Sequence, residues 1–386
     1  MTSPRLFRSY FLGGFECSTH RRPDGRRLDL ATATSHDRLA EDDYRVLAEH
    51  GIRAARDGLR WHLIEKSPGH YDWSSFLPML RGAQAAGMQV IWDLCHYGWP
   101  DDLDIWTPAF VDRFARFAAA AAQIIRDETD GVPFYCPVNE ISYFAWAGGD
   151  VARFHPLAQG RGGELKRQLV RAAIAAIDAV RDVDRRARFV HSDPIIHVVA
   201  DAWRPEDRVP AETYRQCQFE AWDMLSGRLA PELGGNPGYL DIVGVNFYWD
   251  NQWILNGPTV AFGHPFYRPL NEMLTEVHER YGRPILIAET GAEARNGPGW
   301  LRYVTGEVRA ALDAGIPVEG ICLYPILHYP GWEDERHCEC GLLGKAGEGE
   351  RRAVDRALAA ELLREQAAFG ELITYPPVAA RVVAAR

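Results

Sequence analysis

The sequence predicts an α/β protein, folded as a single (β/α)8 TIM barrel, and three observations lead to this fold class. Short apolar segments alternate with amphipathic segments along the chain, as they do in repeated βα units around a parallel sheet. Eight of the apolar segments have the length of strands, and eight is the number that closes this kind of barrel. The length of 386 residues, 47% of them hydrophobic, suits one large barrel with loop insertions.

Several candidate strands are near-continuous apolar runs, as expected when both faces of a sheet are covered. The eight candidates are Tyr10–Cys17, Ala54–Leu59, Gln89–Leu94, Phe134–Asn139, Arg188–Ser192, Leu240–Phe247, Pro284–Ala288 and Gly320–Tyr324. The segments between them carry the signals of helices. Thr107 offers an N-cap, and Pro108 after it fits the first helical position. Gly87 and Gly282 stand where helices should end before the next strand.

We find no internal repeat and no Pro/Gly/Ser-rich linker, so the sequence predicts one domain over residues 1–386. The barrel core is predicted over about residues 7–370, followed by a loosely held tail over about 371–386. Cys338–Arg352 is rich in glycine and charge, which predicts a mobile loop. A last helix is predicted over Ala353–Phe369.

Composition argues against several classes of partner. The chain has 53 acidic and 43 basic residues, a net charge of −10, whereas nucleic acids and anionic membranes call for basic faces. No segment approaches the roughly 18 consecutive apolar residues of a membrane helix. The first sixteen residues lack the pattern of a signal peptide. Seven cysteines, an odd number, are typical of reduced thiols, so we expect a cytoplasmic protein.

His337, Cys338 and Cys340 form a short cluster of residue types that can bind a metal. A structural metal site normally needs a second pair of ligands at suitable spacing, and the sequence shows none. The sequence therefore predicts an ordered loop with incidental thiols, and neither a metal nor a cofactor.

Two glutamates stand at the ends of predicted strands. Glu140 follows the fourth strand and Glu289 follows the seventh, and such positions face the active site of a barrel. A carboxylate placed straight after an apolar run is costly to bury unless it is partnered or used. Either one alone could be a structural ion-pair residue, but together they predict paired-carboxylate chemistry.

That pairing fits the cleavage of a glycosidic bond. One carboxylic acid protonates the leaving oxygen, and a second carboxylate captures the oxocarbenium-like centre, at a separation of roughly 5–5.5 Å in retaining enzymes. Each charge also raises the proton affinity of the other, which keeps the acid protonated near neutral pH.

The motifs around both glutamates resemble glycoside hydrolase family 1, the β-glucosidase family of clan A, over roughly the first 335 residues. The segment 137–140, Pro-Val-Asn-Glu, resembles the Asn-Glu motif that follows strand four of the family. The segment 287–291, Ile-Ala-Glu-Thr-Gly, resembles its Ile/Val-Thr-Glu-Asn-Gly motif after strand seven. The resemblance implies that Glu140 is the acid/base and Glu289 the nucleophile of a retaining β-glycosidase.

Further motifs follow in the order of the family. Arg56 and Trp61 match its Tyr-Arg-Phe-Ser-x-x-Trp motif, which implies that Arg56 keeps the nucleophile ionised. Asn246, Phe247 and Tyr248 resemble its Asn-Tyr-Tyr motif, which implies that Tyr248 orients Glu289. The resemblance also implies binding or supporting roles for four other residues: Asn139 at the 2-hydroxyl, His96 as a donor to a sugar hydroxyl, and Trp332, with Glu333 beside it, in the glycone subsite.

The sequence departs from the family where the sugar should bind. The first strand lacks the glutamine that grips two hydroxyls in the family and offers Glu16, His20 and Arg21 instead. The segment 324–333 lacks the family's Trp-Ser…Asp-Asn-x-Glu-Trp spacing. Because a site built around particular hydroxyls discriminates strongly, these changes predict a different or modified sugar.

Several alternatives stay open at this point. The leading expectation is a retaining β-glycosidase for a small β-glycoside or oligosaccharide, with an endo-glycanase, a transglycosidase or a non-catalytic glycan-binding barrel as alternatives. A barrel lyase or aldolase would want a strand-end Schiff-base lysine or a metal cluster, and Lys66, Lys166 and Lys345 end no predicted strand. The glycone, aglycone, linkage and oligomeric state are left undetermined.

Overall fold

The structure, a computed structural model, describes residues 6–334, 336–347, 349 and 351–372. Eight parallel strands close into a barrel, and each predicted strand corresponds to one of them. The strands are β1 (Phe11–Gly14), β2 (Ala54–Gly58), β3 (Gln89–Asp93), β4 (Phe134–Cys136), β5 (Arg188–Pro194), β6 (Ile242–Asn246), β7 (Ile285–Thr290) and β8 (Val318–Leu323). The (β/α)8 fold class predicted from the sequence is therefore confirmed.

A helix follows each strand and packs outside the barrel. These helices are α1 (His36–Glu49), α2 (Leu77–Ala85), α3 (Pro108–Glu128), α4 (Gly162–Val183), α5 (Glu220–Leu225), α6 (Leu270–Tyr281), α7 (Gly297–Asp313) and α8 (Arg356–Leu372). Helix α3 begins at Pro108 with Thr107 as its N-cap residue, as predicted. Gly282, at φ 60°, ends α6 in the left-handed conformation that favours glycine.

Shorter elements build the loops. They are the helices Leu30–Ala33, Trp61–Ile64, Ile141–Phe144 and Arg208–Gln216, the π-helix Ala145–Asp150, the 3-10 turns Trp73–Ser75, Pro205–Asp207, Cys217–Phe219, Pro231–Leu233 and Ala294–Asn296, and the strand pairs Glu65–Ser67 with His70–Tyr71, His197–Val199 with Gln252–Ile254, Tyr329–Pro330 with His337–Cys338, and Leu343–Ala346 with Arg352–Val354. Most of the loop elements lie beyond the carboxyl ends of the barrel strands, the end at which the predicted site lies.

The strands are paired in chain order, and β1 closes the barrel between β2 and β8. Leu12 lies opposite Ala54 on one side and Cys322 on the other. Inside the barrel, fully buried side chains such as Ile91, Val190 and Leu286 form a compact apolar centre. A larger apolar layer, rich in aromatic residues, lies between the barrel and its helices. This double layer fixes the direction of every strand end.

Some predicted boundaries were wrong. Strand β4 ends at Cys136 rather than Asn139, because Pro137 has no N–H with which to continue the ladder. The backbone after it is still anchored, since the N–H of Glu140 donates to the carbonyl of Ser192 at 2.9 Å. The predicted loop 338–352 contains a two-stranded hairpin. Helix α8 begins at Arg356, because a carboxylate oxygen of Asp355 accepts from two N–H groups of its first turn.

Most of the predicted C-terminal tail, residues 371–386, lies outside the described residues. Residues 371 and 372 belong to α8, and residues 373–386 lie outside the described part of the chain. None of the helices in the described part combines the length and the apolar character that a membrane span needs. All seven cysteines are free thiols.

Candidate active site

A cavity of about 890 Å³ opens at the carboxyl ends of the barrel strands. Its deep part contains both predicted glutamates, and its outer part is built by loops. Its lining includes Glu16, His96, Tyr97, Glu140, Ser142, Trp146, Arg153, Lys166, Tyr214, Glu220, Asn246, Tyr248, Trp249, Trp253, Glu289, Glu293, Tyr324, Tyr329 and Trp332. Of the ten predicted site residues, Arg56, Asn139 and Glu333 are not in its lining.

Glu289 lies on β7 and is held from two sides. Its Oε1 accepts from a guanidinium nitrogen of Arg56 at 2.6 Å, and its Oε2 accepts from the hydroxyl of Tyr248 at 3.0 Å. Both contacts are those that the motifs imply for a nucleophile. Asn246 lies opposite Glu289 in the pairing of β6 with β7, so the sheet itself fixes the distance between these two backbones.

Glu140 follows β4 and has uncharged partners. Its Oε1 accepts from the amide of Asn246 at 2.8 Å, and its Oε2 accepts from the hydroxyl of Tyr97. Glu140 and Tyr97 both adopt left-handed backbone, at φ 46° and 65°, which costs of order 1 kcal/mol for residues other than glycine. Asn246 therefore neighbours Glu289 in the sheet and contacts Glu140 through its side chain, which brings the two carboxyl groups to one place.

Burial raises the pKa of both glutamates. For Glu140, burial is the main cause, and the hydrogen bonds from Tyr97 and Asn246 oppose it. For Glu289, burial is followed by the repulsion of Glu140, and the guanidinium of Arg56 opposes both. Because the two carboxyl groups repel one another, the pair retains a proton at a pH at which an ordinary glutamate has lost it.

Arg56 is the centre of the site although it is fully buried. Besides Glu289, it contacts Asp93 through two parallel hydrogen bonds of 2.7 and 2.9 Å. The sequence analysis missed Asp93, which ends the apolar run of β3 just as Glu289 ends that of β7. The signal was present, since a carboxylate at a strand end needs a partner. Two carboxylates thus share one guanidinium, and this fixes the orientation of Arg56.

In this arrangement the amide of Asn139 is engaged by protein groups, and its predicted contact with a 2-hydroxyl stays a prediction. Its Oδ1 accepts from Arg56 and from the hydroxyl of Ser192 at 2.9 Å. Its Nδ2 donates to Nε2 of His96 at 2.9 Å and to the hydroxyl of Tyr97 at 3.0 Å. The side chain is fully buried, and all its donors and acceptors are engaged. Asn139 connects Arg56 to the partner of Glu140.

This network also engages both ring nitrogens of His96. Arg56 fixes the amide orientation of Asn139, so Nε2 of His96 must accept a hydrogen bond. Its Nδ1 then carries the proton and donates to Asp93 at 2.9 Å. His96 lines the cavity, but neither ring nitrogen is free to donate to a hydroxyl.

The three remaining predicted residues differ in position. Glu16 is 7% exposed and lines the cavity. Trp332 also lines it, and its ring packs against His20 at 4.7 Å between ring centroids. Glu333 is not in the lining, and its exposed side chain pairs with Arg153, which does line the cavity, so its predicted place in the glycone subsite stays a prediction. Trp61 is a core residue stacked on Phe117.

One group of side chains has the spacing of a metal site within the described residues. Cys17, Asp93 and His96 place one ligand atom each within 4.8 Å of one another. Their polar atoms bond to each other and to Arg56, and burial raises the pKa of the Cys17 thiol, which keeps it protonated. His337, Cys338 and Cys340 form no such group in the described part of the chain.

The outer wall was not predicted. It is aromatic, formed by Trp146, Tyr214, Trp249 and Trp253, with Lys166 from α4 paired to Glu220 at 2.7 Å. These residues come from the loops after β4, β5 and β6, where periodicity carries no signal. Trp249 lines this part of the cavity and is 60% exposed.

The contact between Tyr97 and Glu140 yields a first prediction. Tyr97→Phe removes a hydrogen bond that favours the charged form of Glu140, so the pKa of Glu140 should rise. If Glu140 acts as an acid, the basic limb of the pH dependence of kcat/KM should move to higher pH by about 0.5–1 unit. A limb that stays in place or moves to lower pH would contradict the assignment. Tyr71→Phe, remote from the cavity, is the control.

Comparison with solved structures identifies the same fold in glycosidases. A family 1 β-glucosidase from Thermotoga maritima is 15% identical, with a TM-score of 0.75 over 95% of this chain and 99% of that one. The AHE enzyme from Alicyclobacillus herbarius is 16% identical, with a TM-score of 0.76 over 95% and 99%. No protein-family model and no curated protein sequence matches the chain. The predicted resemblance is thus confirmed at the level of the fold, which is that of the family 1 β-glucosidases.

Proposed function

We propose that the protein is a retaining β-glycosidase acting on a small β-glycoside or oligosaccharide, with Glu289 as nucleophile and Glu140 as acid/base. The observation that carries this proposal is the unequal environment of the two carboxyl groups. Glu289 accepts from a guanidinium, which favours its charged form, whereas the partners of Glu140 are neutral. In the free enzyme the shared proton therefore resides on Glu140.

The first half of the reaction uses both groups at once. A carboxylate oxygen of Glu289 forms a bond to the anomeric carbon of the sugar, while the bond from that carbon to the leaving oxygen breaks. Glu140 gives its proton to the leaving oxygen, so the aglycone departs as a neutral alcohol. Arg56 and Tyr248 hold Glu289 in position for the attack.

The second half returns the enzyme to its starting state. Glu140, now ionised, takes a proton from a water molecule, whose oxygen attacks the anomeric carbon and releases Glu289. Proton transfer in both directions is favoured by a pKa near the working pH, and burial raises the pKa of Glu140 in that direction. Asn246 and Tyr97 keep its oxygens in place through both steps.

The experiment that tests the proposal is covalent trapping. The protein is incubated with 2-deoxy-2-fluoro aryl β-glycosides in several sugar configurations, digested, and examined by mass spectrometry. We expect one sugar per chain, attached to Glu289. Attachment to another residue would refute the assignment, and turnover of an aryl β-glycoside with inversion at the anomeric carbon would refute the retaining mechanism.

One observation favours a second candidate, a clan A enzyme that acts on longer chains or transfers sugars. The aromatic outer wall extends the cavity beyond the two glutamates, to Trp249 and Trp253. Sugar rings stack on such residues, so a long substrate would occupy them. Trp249→Ala should then raise KM for an oligosaccharide at least about fivefold while leaving KM for an aryl monoglycoside within about twofold. Equal effects on both substrates would favour the small-substrate proposal.

The free thiols support a proposal about the cellular compartment of the protein. The free cysteines include Cys17, Cys136 and Cys322, which are buried close to the site. We propose that the enzyme works in the reducing cytoplasm, where such thiols stay free.

A further inference from the structure

The inner wall of the cavity, formed by Glu16, Tyr324 and Trp332, takes no part in the chemistry proposed above. Glu16 follows β1 and Tyr324 follows β8, and these two strands are neighbours in the barrel. Trp332 belongs to the loop after β8. All three line the cavity that also contains Glu140 and Glu289. The inner wall is therefore placed to contact the group bound beside the two glutamates.

Polar atoms around the inner wall lack partners. The hydroxyl of Tyr324 and Nε1 of Trp332 are buried without a hydrogen bond in the described part of the structure. Oδ1 of Asn246, on the same cavity, is also without a partner there. A buried polar group left unpaired is destabilising, because it loses its hydrogen bonds to water without replacing them. Tyr324 is 3% exposed and Asn246 is fully buried, so these atoms indicate a polar ligand rather than bulk solvent.

Glu16 brings a negative charge that no cation among the described residues neutralises. Its Oε1 accepts from the N–H of Ser18 at 3.0 Å. The nearest basic group is His96, whose Nε2 is 3.8 Å from the same oxygen and already accepts from Asn139. Because a buried carboxylate is stable only when it is paired, the missing partner of Glu16 is expected to come from a ligand.

The rest of the cavity lining, like Glu16, is mainly acidic. Its acidic lining residues are Glu16, Glu140, Asp150, Glu220, Asp250, Glu289 and Glu293, and its basic ones are His96, Arg153 and Lys166. Arg153 and Lys166 are paired, with Glu333 and Glu220. A cleft lined mainly by one sign of charge focuses its field and concentrates ligands of the opposite sign. The cavity therefore repels anions.

We propose that Glu16 is a specificity-determining residue that admits only sugars without negative charge and makes an amino sugar the preferred occupant. This inference deepens the proposed function, since the occupant is the sugar that Glu289 would attack. An ammonium group donates to Glu16, and the sugar oxygens accept from Tyr324 and Trp332. A phosphate, sulfate or carboxylate on the sugar would place a second anion beside Glu16.

Calorimetry with matched monosaccharides tests the proposal without requiring turnover. The ligands are glucose, 2-amino-2-deoxyglucose, 6-amino-6-deoxyglucose and glucuronate, with the same series in the galactose configuration. We expect, in at least one configuration, an amino sugar to bind about tenfold more tightly than the neutral sugar, and the uronate at least about tenfold more weakly. An anion that binds as tightly as the neutral sugar, or no binding in either series, would overturn the proposal.

Two variants assign the effect to Glu16. Glu16→Gln should reduce the ratio of amino-sugar to uronate affinity at least about tenfold. Glu232→Gln, which removes an exposed carboxylate that is paired with Arg167 and is not in the cavity lining, should leave that ratio within about twofold. An unchanged ratio in Glu16→Gln refutes the inference. Hydrolysis with the opposite order of charge preference would refute this inference alone, whereas the expected order without any trapping of Glu289 would refute only the proposed mechanism.

Discussion

Glu289→Gln is expected to lower kcat for an aryl β-glycoside by a factor on the order of 10⁴, because it removes the oxygen anion that forms the covalent intermediate. The amide keeps the shape of the side chain and can still contact Arg56 and Tyr248, so the fold should be unaffected. The measurement is single-turnover kinetics together with thermal unfolding. Glu232→Gln, an exposed carboxylate paired with Arg167, is the control and should keep full activity.

The same variant has a second expected outcome, on Glu140. Loss of the charge at Glu289 removes the repulsion between the two carboxyl groups, so the pKa of Glu140 should fall. Carbon-13 NMR of the labelled carboxyl group would measure this shift. A variant with undiminished turnover, or a Glu140 that titrates as before, would refute the paired mechanism.

Arg56→Met is expected to show the largest loss of stability. It leaves the buried carboxylates of Asp93 and Glu289 without their shared cation, and breaking such a pair costs about 3–5 kcal/mol of unfolding free energy. Activity should also fall on the order of 10²–10³-fold, because Glu289 loses the guanidinium that favours its charged form. The acidic limb of the pH profile should then move to higher pH, since the pKa of Glu289 rises.

Urea unfolding and pH profiles test this prediction. Arg56→Lys keeps the charge but cannot make two parallel bonds to Asp93 while contacting Glu289, so it should lie between Arg56→Met and the wild type. Arg81→Met, which removes an exposed arginine paired with Glu128, is the matched control and should leave the unfolding free energy nearly unchanged. Equal stability of Arg56→Met and the control would contradict the role of Arg56.

The sequence predicted the barrel well because each strand is a short apolar run between helical segments. The contacts of Arg56 and Tyr248 with Glu289 also agree with the motifs. The contacts of Asn139 could not be predicted from its position in the sequence. A strand-end position indicates the correct end of the barrel, but whether an amide faces the cavity or the network behind it depends on Arg56, Ser192 and Tyr97, which are distant in sequence.

The position of Glu333 and the outer wall depend on features that periodicity does not show. Glu333 stands next to a cavity residue, yet its side chain pairs with Arg153 and is not in the lining. Trp146, Tyr214 and Trp249 come from loops of irregular length, where neither helical nor strand periodicity applies. Their positions follow from how those loops pack over the barrel, and only a structure shows this.

The full engagement of Asn139 separates the site into two layers, which has a practical consequence for directed evolution. Substitutions at Arg56, Asp93 or Asn139 disturb one another because Arg56 donates hydrogen bonds to both Asp93 and Asn139. Glu16, Tyr329 and Trp332 lie outside that closed set. A mutant library restricted to these three positions should therefore change sugar preference while leaving the placement of Glu289 intact, which makes the site a modular starting point for glycoside engineering.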